Sequence, residues 1–248
     1  MPSIGKIAVV TGGASGIGKA TVERLSAAGA TVICADIDVT AGQKMVSEAG
    51  NNSGAIDFLK LDLTDDDQIL EFANDVIEKY GKLDILVNAA GGGDIEPFIK
   101  NDPKRFDWNV ALNYLGPVKL THAFLPAMSE AKEGKIVYVA SDAGRVGSGG
   151  ETVYAGAKGG IIAFAKSLAR EVARFKINVN CVCPGPTDTP LLQTRPEKML
   201  EALISAIPLH RFAKPEEIAN AIQFFADADS DYITGQVLSV SGGLTMVD

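Results

Sequence analysis

The sequence predicts an α/β fold: one doubly wound domain built around a seven-stranded parallel sheet. Three observations lead there. Short β-rich runs alternate with longer helical patterns along the whole chain. Most of the runs are continuously apolar, as strands covered on both faces must be. No tandem repeat, low-complexity tract or linker divides the 248 residues, a length that suits one large domain with a sizeable core.

The first strand is the run 6–11, followed by a glycine-rich turn and a helix over 17–28. A second strand over 31–35 leads to a helix over 40–49, and a third over 55–61 leads to a helix over 65–80. That helix carries Ile69, Leu70, Phe72, Ala73, Val76 and Ile77 on one stripe, with Thr64 as N-cap and Gly81 in the C-cap position. The fourth strand, 84–88, precedes one long helix over 103–129. A strand over 135–141 and a helix over 152–175 follow, then a strand over 178–183. Pro215-Glu216-Glu217 opens a helix over 215–226, and 236–240 is the last strand. The stretch 184–214 breaks the rhythm: it is rich in Pro and Thr and belongs to no βαβ unit. Loops of that length are usually functional, and 187–214 reads as a lid over a substrate.

Composition bounds the function. Hydrophobic residues make up 46% and charged residues 22%, ordinary values for a globular protein. The net charge of −8 argues against a nucleic-acid partner, which needs a basic face. No apolar run approaches the roughly 18 residues of a membrane span, and no secretory signal pattern is visible. Cys34, Cys181 and Cys183 include no CxxC spacing, so they read as small buried residues in a reducing compartment, and the expected location is the cytoplasm. His122 and His210 are isolated, and no cluster suggests a metal.

The residues from Thr11 to Gly18, TGGASGIG, lie between the first strand and the first helix. Glycines there let the backbone turn tightly and approach a pyrophosphate seated on the helix N-terminus, as in the Rossmann arrangement. Asp36 ends the second strand, where a carboxylate accepts hydrogen bonds from both ribose hydroxyls of an adenosine. It would repel a 2′-phosphate. Neither Ile37 nor Ser15 offers a cation, so the reading is NAD rather than NADP. Asp62, and the segment Asn88-Ala89-Ala90-Gly91, either contact the cofactor or serve turn capping and packing; spacing alone leaves both readings open.

Tyr154 and Lys158 stand four apart and share one helix face. An ammonium beside a phenol favours the phenolate; moving a tyrosine from about 10 to near 7 takes roughly 4 kcal/mol. Such pairs also arise by chance on solvated helices. Ser141 sits at the carboxyl edge of the sheet, where ligands bind, or is a turn serine. By spacing alone Asn113 reads as an exposed mid-helix residue.

Taken in order, TGGASGIG, NAAG, Asn113, Ser141, Tyr-x-x-x-Lys and Pro184-Gly185 resemble the short-chain dehydrogenase/reductase family over essentially the whole chain. Ala89 replaces the family's usual second Asn. The resemblance implies that Tyr154 is the acid/base, that Lys158 binds the nicotinamide ribose and tunes Tyr154, that Ser141 orients the reacting oxygen, and that Asn113 anchors a proton relay. It further implies cofactor contacts from Gly12, Ser15, Gly16, Ile17, Gly18, Asp36, Asp62, Leu63, Asn88, Ala90, Gly91, Pro184, Gly185, Thr187 and Thr189. A homotetramer is implied too. The expected reaction is NAD-dependent oxidation of a small secondary alcohol to a ketone. The segments 141–147 and 183–189 and the ending ITGQVLSVSGGLTM are similar to dehydrogenases of ring-bearing acyl-CoA alcohols. Arg145, or Arg195, Lys198 and Arg211 in the lid, would then meet an anionic group; otherwise Arg145 pairs with Asp142 or Glu151. Two rivals remain: an NADPH-preferring reductase of ketones or 3-oxoacyl thioesters, and a dinucleotide-binding sensor without turnover.

Overall fold

A computed structural model describes residues 3–49 and 54–247. Its strands are β1 (Ile7–Thr11), β2 (Thr31–Asp36), β3 (Ile56–Lys60), β4 (Ile85–Asn88), β5 (Gly134–Val139), β6 (Ile177–Pro184) and β7 (Val237–Val240). Among the described residues they form one seven-stranded sheet, in the order β3-β2-β1-β4-β5-β6-β7, parallel at every pairing. The helices are α1 (Gly16–Ala27), α2 (Val39–Glu48), α3 (Asp66–Tyr80), α4 (Phe106–Val110), α5 (Gly116–Ala131), α6 (Ala143–Val146), α7 (Thr152–Val172), α8 (Pro190–Gln193), α9 (Glu197–Ala206) and α10 (Pro215–Ala226).

The apolar runs are continuous because alternate strand residues enter different layers. Val9, Ile33 and Leu86 pack with Phe72 of α3, Phe124 of α5 and Ile161 of α7. Ala8, Val10, Val32 and Cys34 pack with Leu25 of α1, Met45 of α2 and Ile222 of α10. The strand order reverses between β1 and β4, which pair in register up to Thr11 and Asn88. A crevice opens there at the carboxyl edge, where ligands of open α/β sheets bind.

Three elements differ from expectation. Asp65, not Thr64, caps α3: its carboxylate accepts from the N–H groups of Asp67 and Gln68, while the Thr64 hydroxyl donates to Asp62. The long helix expected over 103–129 is broken into a 3₁₀ turn at Pro103–Arg105, then α4, a π-helical turn at Ala111–Leu115, and α5. Pro117 supplies the reason, since it has no N–H to return to the Asn113 carbonyl four residues earlier. The stretch expected to be loop-like carries α8 and α9. Pro190 at the first position of α8, after the cap of Thr189, starts that helix. No described helix is long and apolar enough to cross a membrane.

Candidate active site

The glycine turn after β1 is a cradle with little room. Gly12 has a positive φ of 63°, and a Cβ on it would come 2.8 Å from the Ala90 Cα. A Cβ on Gly18 would lie 2.0 Å from the Gly12 carbonyl oxygen, and one on Gly16 would lie 3.1 Å from the Thr189 methyl. The Thr11 hydroxyl accepts from the N–H groups of Ala89 (3.0 Å) and Ala90 (3.1 Å), fastening the segment after β4 to the turn. Ser15 occupies the N-cap of α1 in extended conformation, and its side chain makes no capping bond. The half-buried Ile17 enters the first turn of that helix.

Asp36 ends β2 beside this cradle. Its carboxylate accepts from Ala14 N (2.9 Å) and from Asp38 N (3.0 Å), so both oxygens are held at fixed positions. It lines a cleft of about 170 Å³ together with Gly12, Asp62, Leu63, Ala90 and Trp108. Asp62 combines the two readings left open: one oxygen takes the Thr64 N–H and hydroxyl, and the residue lines the cleft. Asn88 is 2% exposed, and neither amide atom of its side chain finds a partner among the described residues. A buried amide normally has partners. The orphaned Asn88 and the Cβ-free cradle together fit a dinucleotide. On the far rim, Pro184 ends β6 and Gly185 follows it, with Gly185 N bonded to the Val240 carbonyl. Thr187 is buried and donates to the Gly185 carbonyl, and Thr189 starts α8 over the cradle.

The second half of the crevice is chemical. Ser141 lies two residues beyond β5, accepts from Ala143 N at 3.1 Å and is close enough to Tyr154 for its hydroxyl to favour the phenolate. Lys158 is buried on α7, donates to the Val139 carbonyl at 2.8 Å and stands 5.7 Å from the Tyr154 ring centre. Asn113 is fully buried rather than exposed, because it sits in the π turn. Its amide donates to the carbonyls of Gly92 and Asn109, both at 2.9 Å, and its oxygen accepts from Gly92 N at 3.1 Å. A Cβ on Gly91 would lie 2.8 Å from the Asn113 oxygen and 2.9 Å from the Lys158 ammonium, so only glycine fits beside both. Ser141, Tyr154, Lys158 and Asn113 are thus gathered from β5, α7 and the π turn at one edge.

Burial sets their ionisation. It pushes the Tyr154 phenol up to about 12, against the lowering influence of the Ser141 hydroxyl. It lowers the Lys158 ammonium to about 8. The expected lowering of the tyrosine is therefore not what the free protein has: desolvation dominates, and the charge of Glu151 adds to it. Burial also raises the Cys34 and Cys183 thiols to about 12, and raises Cys181, so all three stay neutral fillers of the core.

Three of the four cations named as anion receptors are engaged elsewhere; Lys198 has no such partner among the described residues. Arg145 donates to the Val247 carbonyl at 2.8 Å, and no ion pair joins it to Asp142 or Glu151 among the described residues. Arg195 donates to the Gly93 carbonyl at 2.8 Å, and Arg211 makes a two-pronged bond to Glu217. Sequence reasoning missed Trp108 in the cofactor cleft. It also missed a second cleft of about 140 Å³ beside Tyr154, whose walls include Asp94, Lys100, Arg105, Asn109 and Glu151. The Asn109–Asn113 spacing of four was the one available signal for that wall.

Comparison with known proteins agrees with this arrangement. A family model described as enoyl-(acyl carrier protein) reductase matches residues 12–245. The chain is 41% identical over 242 residues to 3-oxoacyl-(acyl-carrier-protein) reductase FabG of Thermotoga maritima, covering 98% of both chains. It is 36% identical to (2S)-((R)-hydroxy(phenyl)methyl)succinyl-CoA dehydrogenase subunit BbsD of Thauera aromatica, covering 97% of both. The crystal structure of levodione reductase superposes with a TM-score of 0.92 at 27% identity, over 97% of this chain and 98% of that one. A match of this extent, on a parallel sheet whose crevice holds a glycine cradle and a serine–tyrosine–lysine group, places the chain in the short-chain dehydrogenase/reductase family of oxidoreductases, which act on alcohol and ketone groups.

Proposed function

We propose that the chain is an NAD-dependent dehydrogenase that oxidises a ring-bearing secondary alcohol to its ketone. The observation that carries this reading is the meeting of Ser141, Tyr154, Lys158 and Asn113 beside a dinucleotide-sized cradle. Asp36 supports the choice of NAD: its oxygens are pre-set by two backbone donors and face a cleft with no free Lys or Arg on its walls. Gly12, Ser15, Gly16, Ile17 and Gly18 would seat the pyrophosphate. Asp62, Leu63, Asn88 and Ala90 would flank the adenosine side. Gly91, Tyr154, Lys158, Pro184, Gly185, Thr187 and Thr189 would flank the nicotinamide side. The whole chain acts as one dinucleotide-binding and catalytic domain, and 187–214 is its lid. A cytoplasmic homotetramer completes the reading, and a light-scattering mass of one chain would contradict that assembly.

A nicotinamide held in the cradle would supply the hydride acceptor for the carbinol carbon. Ser141 holds the reacting oxygen through its hydroxyl. Tyr154 exchanges the proton on that oxygen: as phenol it donates to a ketone, as phenolate it takes the proton of an alcohol. With its phenol raised to about 12, the free protein holds Tyr154 protonated near neutral pH. Oxidation therefore depends on positive charge entering the site, from Lys158 and from the oxidised nicotinamide. Asn113, tied to Gly92 and close to Lys158, links the lysine to the backbone as the next station of the proton path. Fixed positions supply much of the rate.

The ring-bearing substrate rests on sequence likeness in 141–147 and 183–189 to 2-hydroxycyclohexanecarboxyl-CoA dehydrogenase, and on the relative whose name describes a phenyl carbinol on a succinyl-CoA. A second reading, reduction of a 3-oxoacyl thioester, is favoured by the 41% identity to a reductase of that class. One experiment separates them. Cyclic and aryl secondary alcohols, and their thioesters, are screened for NADH formation, with 3-oxoacyl thioesters screened for NADH and NADPH oxidation. Turnover confined to 3-oxoacyl thioesters with NADPH would overturn the first reading.

A further inference from the structure

The substrate cleft carries one carboxylate that the fold does not use. Glu151 occupies the N-cap position of α7, yet its side chain makes no capping bond. Its recorded hydrogen bonds are backbone ones, to Ser148 and Ala155, and its carboxylate has no ion-pair or hydrogen-bond partner among the described residues. The other acids on the same walls are committed. Asp94 pairs with Arg105 at 2.8 Å, Asp102 caps Lys104 N at 3.0 Å, and Glu96 takes the Asn101 amide at 3.4 Å. Glu151 stands three residues before Tyr154, just ahead of the same helix, lines the same cleft, and its negative charge acts on the Tyr154 phenol. Lys100, on the 3₁₀ turn Phe98–Lys100, is the cation on these walls without a recorded ion pair.

We propose that Glu151 is a specificity-determining residue that reads the substrate group next to the reacting oxygen. It admits an uncharged group there and rejects a carboxylate. This inference rests on the dehydrogenase reading above and narrows it: the group beside the carbinol is an ester, a thioester or an uncharged ring, and a free acid is excluded. The physical basis is simple. A half-buried carboxylate with no counter-ion raises the cost of a second negative charge in the same cleft. A thioester occupies the same space without that charge.

The test uses matched pairs: a cyclic 2-hydroxy acid and its methyl ester, assayed for NADH formation by the wild type and Glu151→Gln. The wild type prefers the ester. In Glu151→Gln the ester-to-acid ratio of kcat/KM falls about tenfold, equivalent to about 1.4 kcal/mol, chiefly through a lower KM for the acid. The rise of rate with pH moves to lower pH in the variant, because the charge opposing the phenolate is gone. A change of packing alone would move neither the charge selectivity nor the pH profile. An unchanged ester-to-acid ratio, or a wild type that prefers the free acid, overturns the proposal. If no alcohol of either kind reduces NAD⁺ while 3-oxoacyl thioesters are reduced, it is the dehydrogenase reading that fails.

Discussion

Replacing Asp36 by Ala should relax the cofactor preference toward NADP⁺, and the structure sets the scale. Two hydrogen bonds from ribose hydroxyls to a carboxylate are lost, each worth about 1.5–3 kcal/mol when the acceptor is charged. Asp36 is half-buried, so water recovers part of that, leaving roughly 2 kcal/mol and a rise in the KM for NAD⁺ of about 30-fold. Removing the carboxylate also removes its repulsion of a 2′-phosphate, about 4 kcal/mol for unit charges 4 Å apart near a surface, before salt screening reduces it. The NAD⁺/NADP⁺ ratio of kcat/KM should therefore fall by two to three decades, on the order of 10²–10³. A cation added at Ile37 in the same variant should carry it further. The assay is initial rate at limiting cofactor, with a melting curve as control, because Ala14 N and Asp38 N lose their acceptor. A wild type that is faster with limiting NADP⁺, or a variant whose ratio is unchanged, would refute the reasoning.

The remaining expectations concern protons and charge. Alcohol oxidation should speed up as pH rises above neutrality, since Tyr154 starts protonated with its phenol near 12, while ketone reduction should slow over the same range. Lys158→Ala should weaken cofactor binding and displace the rise to still higher pH; a rise at the wild-type position would remove the lysine from the account. Arg145→Ala should change the efficiency for charged and neutral alcohols alike, since the guanidinium is held by the Val247 carbonyl. A loss confined to the charged alcohol would restore Arg145 as an anion receptor.

The strands were legible because burial on both faces leaves apolar runs, unbroken from Ile7 to Val10 in β1 and from Val32 to Ala35 in β2. The glycine cradle and Asp36 were legible because their positions follow directly from the strand ends. Asn113 was not, by spacing. Periodicity assumes a regular α-helix, in which the residue faces water. The π turn depends on a missing donor at Pro117 and on bonds to Gly92, a contact distant in sequence. The direction of the Tyr154 and Lys158 shifts was equally hidden, because Tyr-x-x-x-Lys specifies proximity and says nothing of desolvation. The cleft wall from Asp94 to Arg105 has no periodic pattern, so its acids came to light only when the chain folded back on α7. In the lid, Pro and Thr suggested a loop, whereas the Thr189 cap and Pro190 were already a helix start.

The central claim is that Tyr154 moves the proton in an NAD-dependent oxidation, and single-turnover NADH formation by Tyr154→Phe tests it most directly. The substitution removes one hydroxyl and keeps the ring, so NADH binding and melting temperature should match the wild type. The rate of the first turnover, with NAD⁺ and a good alcohol both saturating, should fall by about 10²–10⁴, the usual contribution of a positioned acid/base. A Tyr154→Phe enzyme that binds NADH normally and forms it within a few-fold of the wild-type rate would contradict the account.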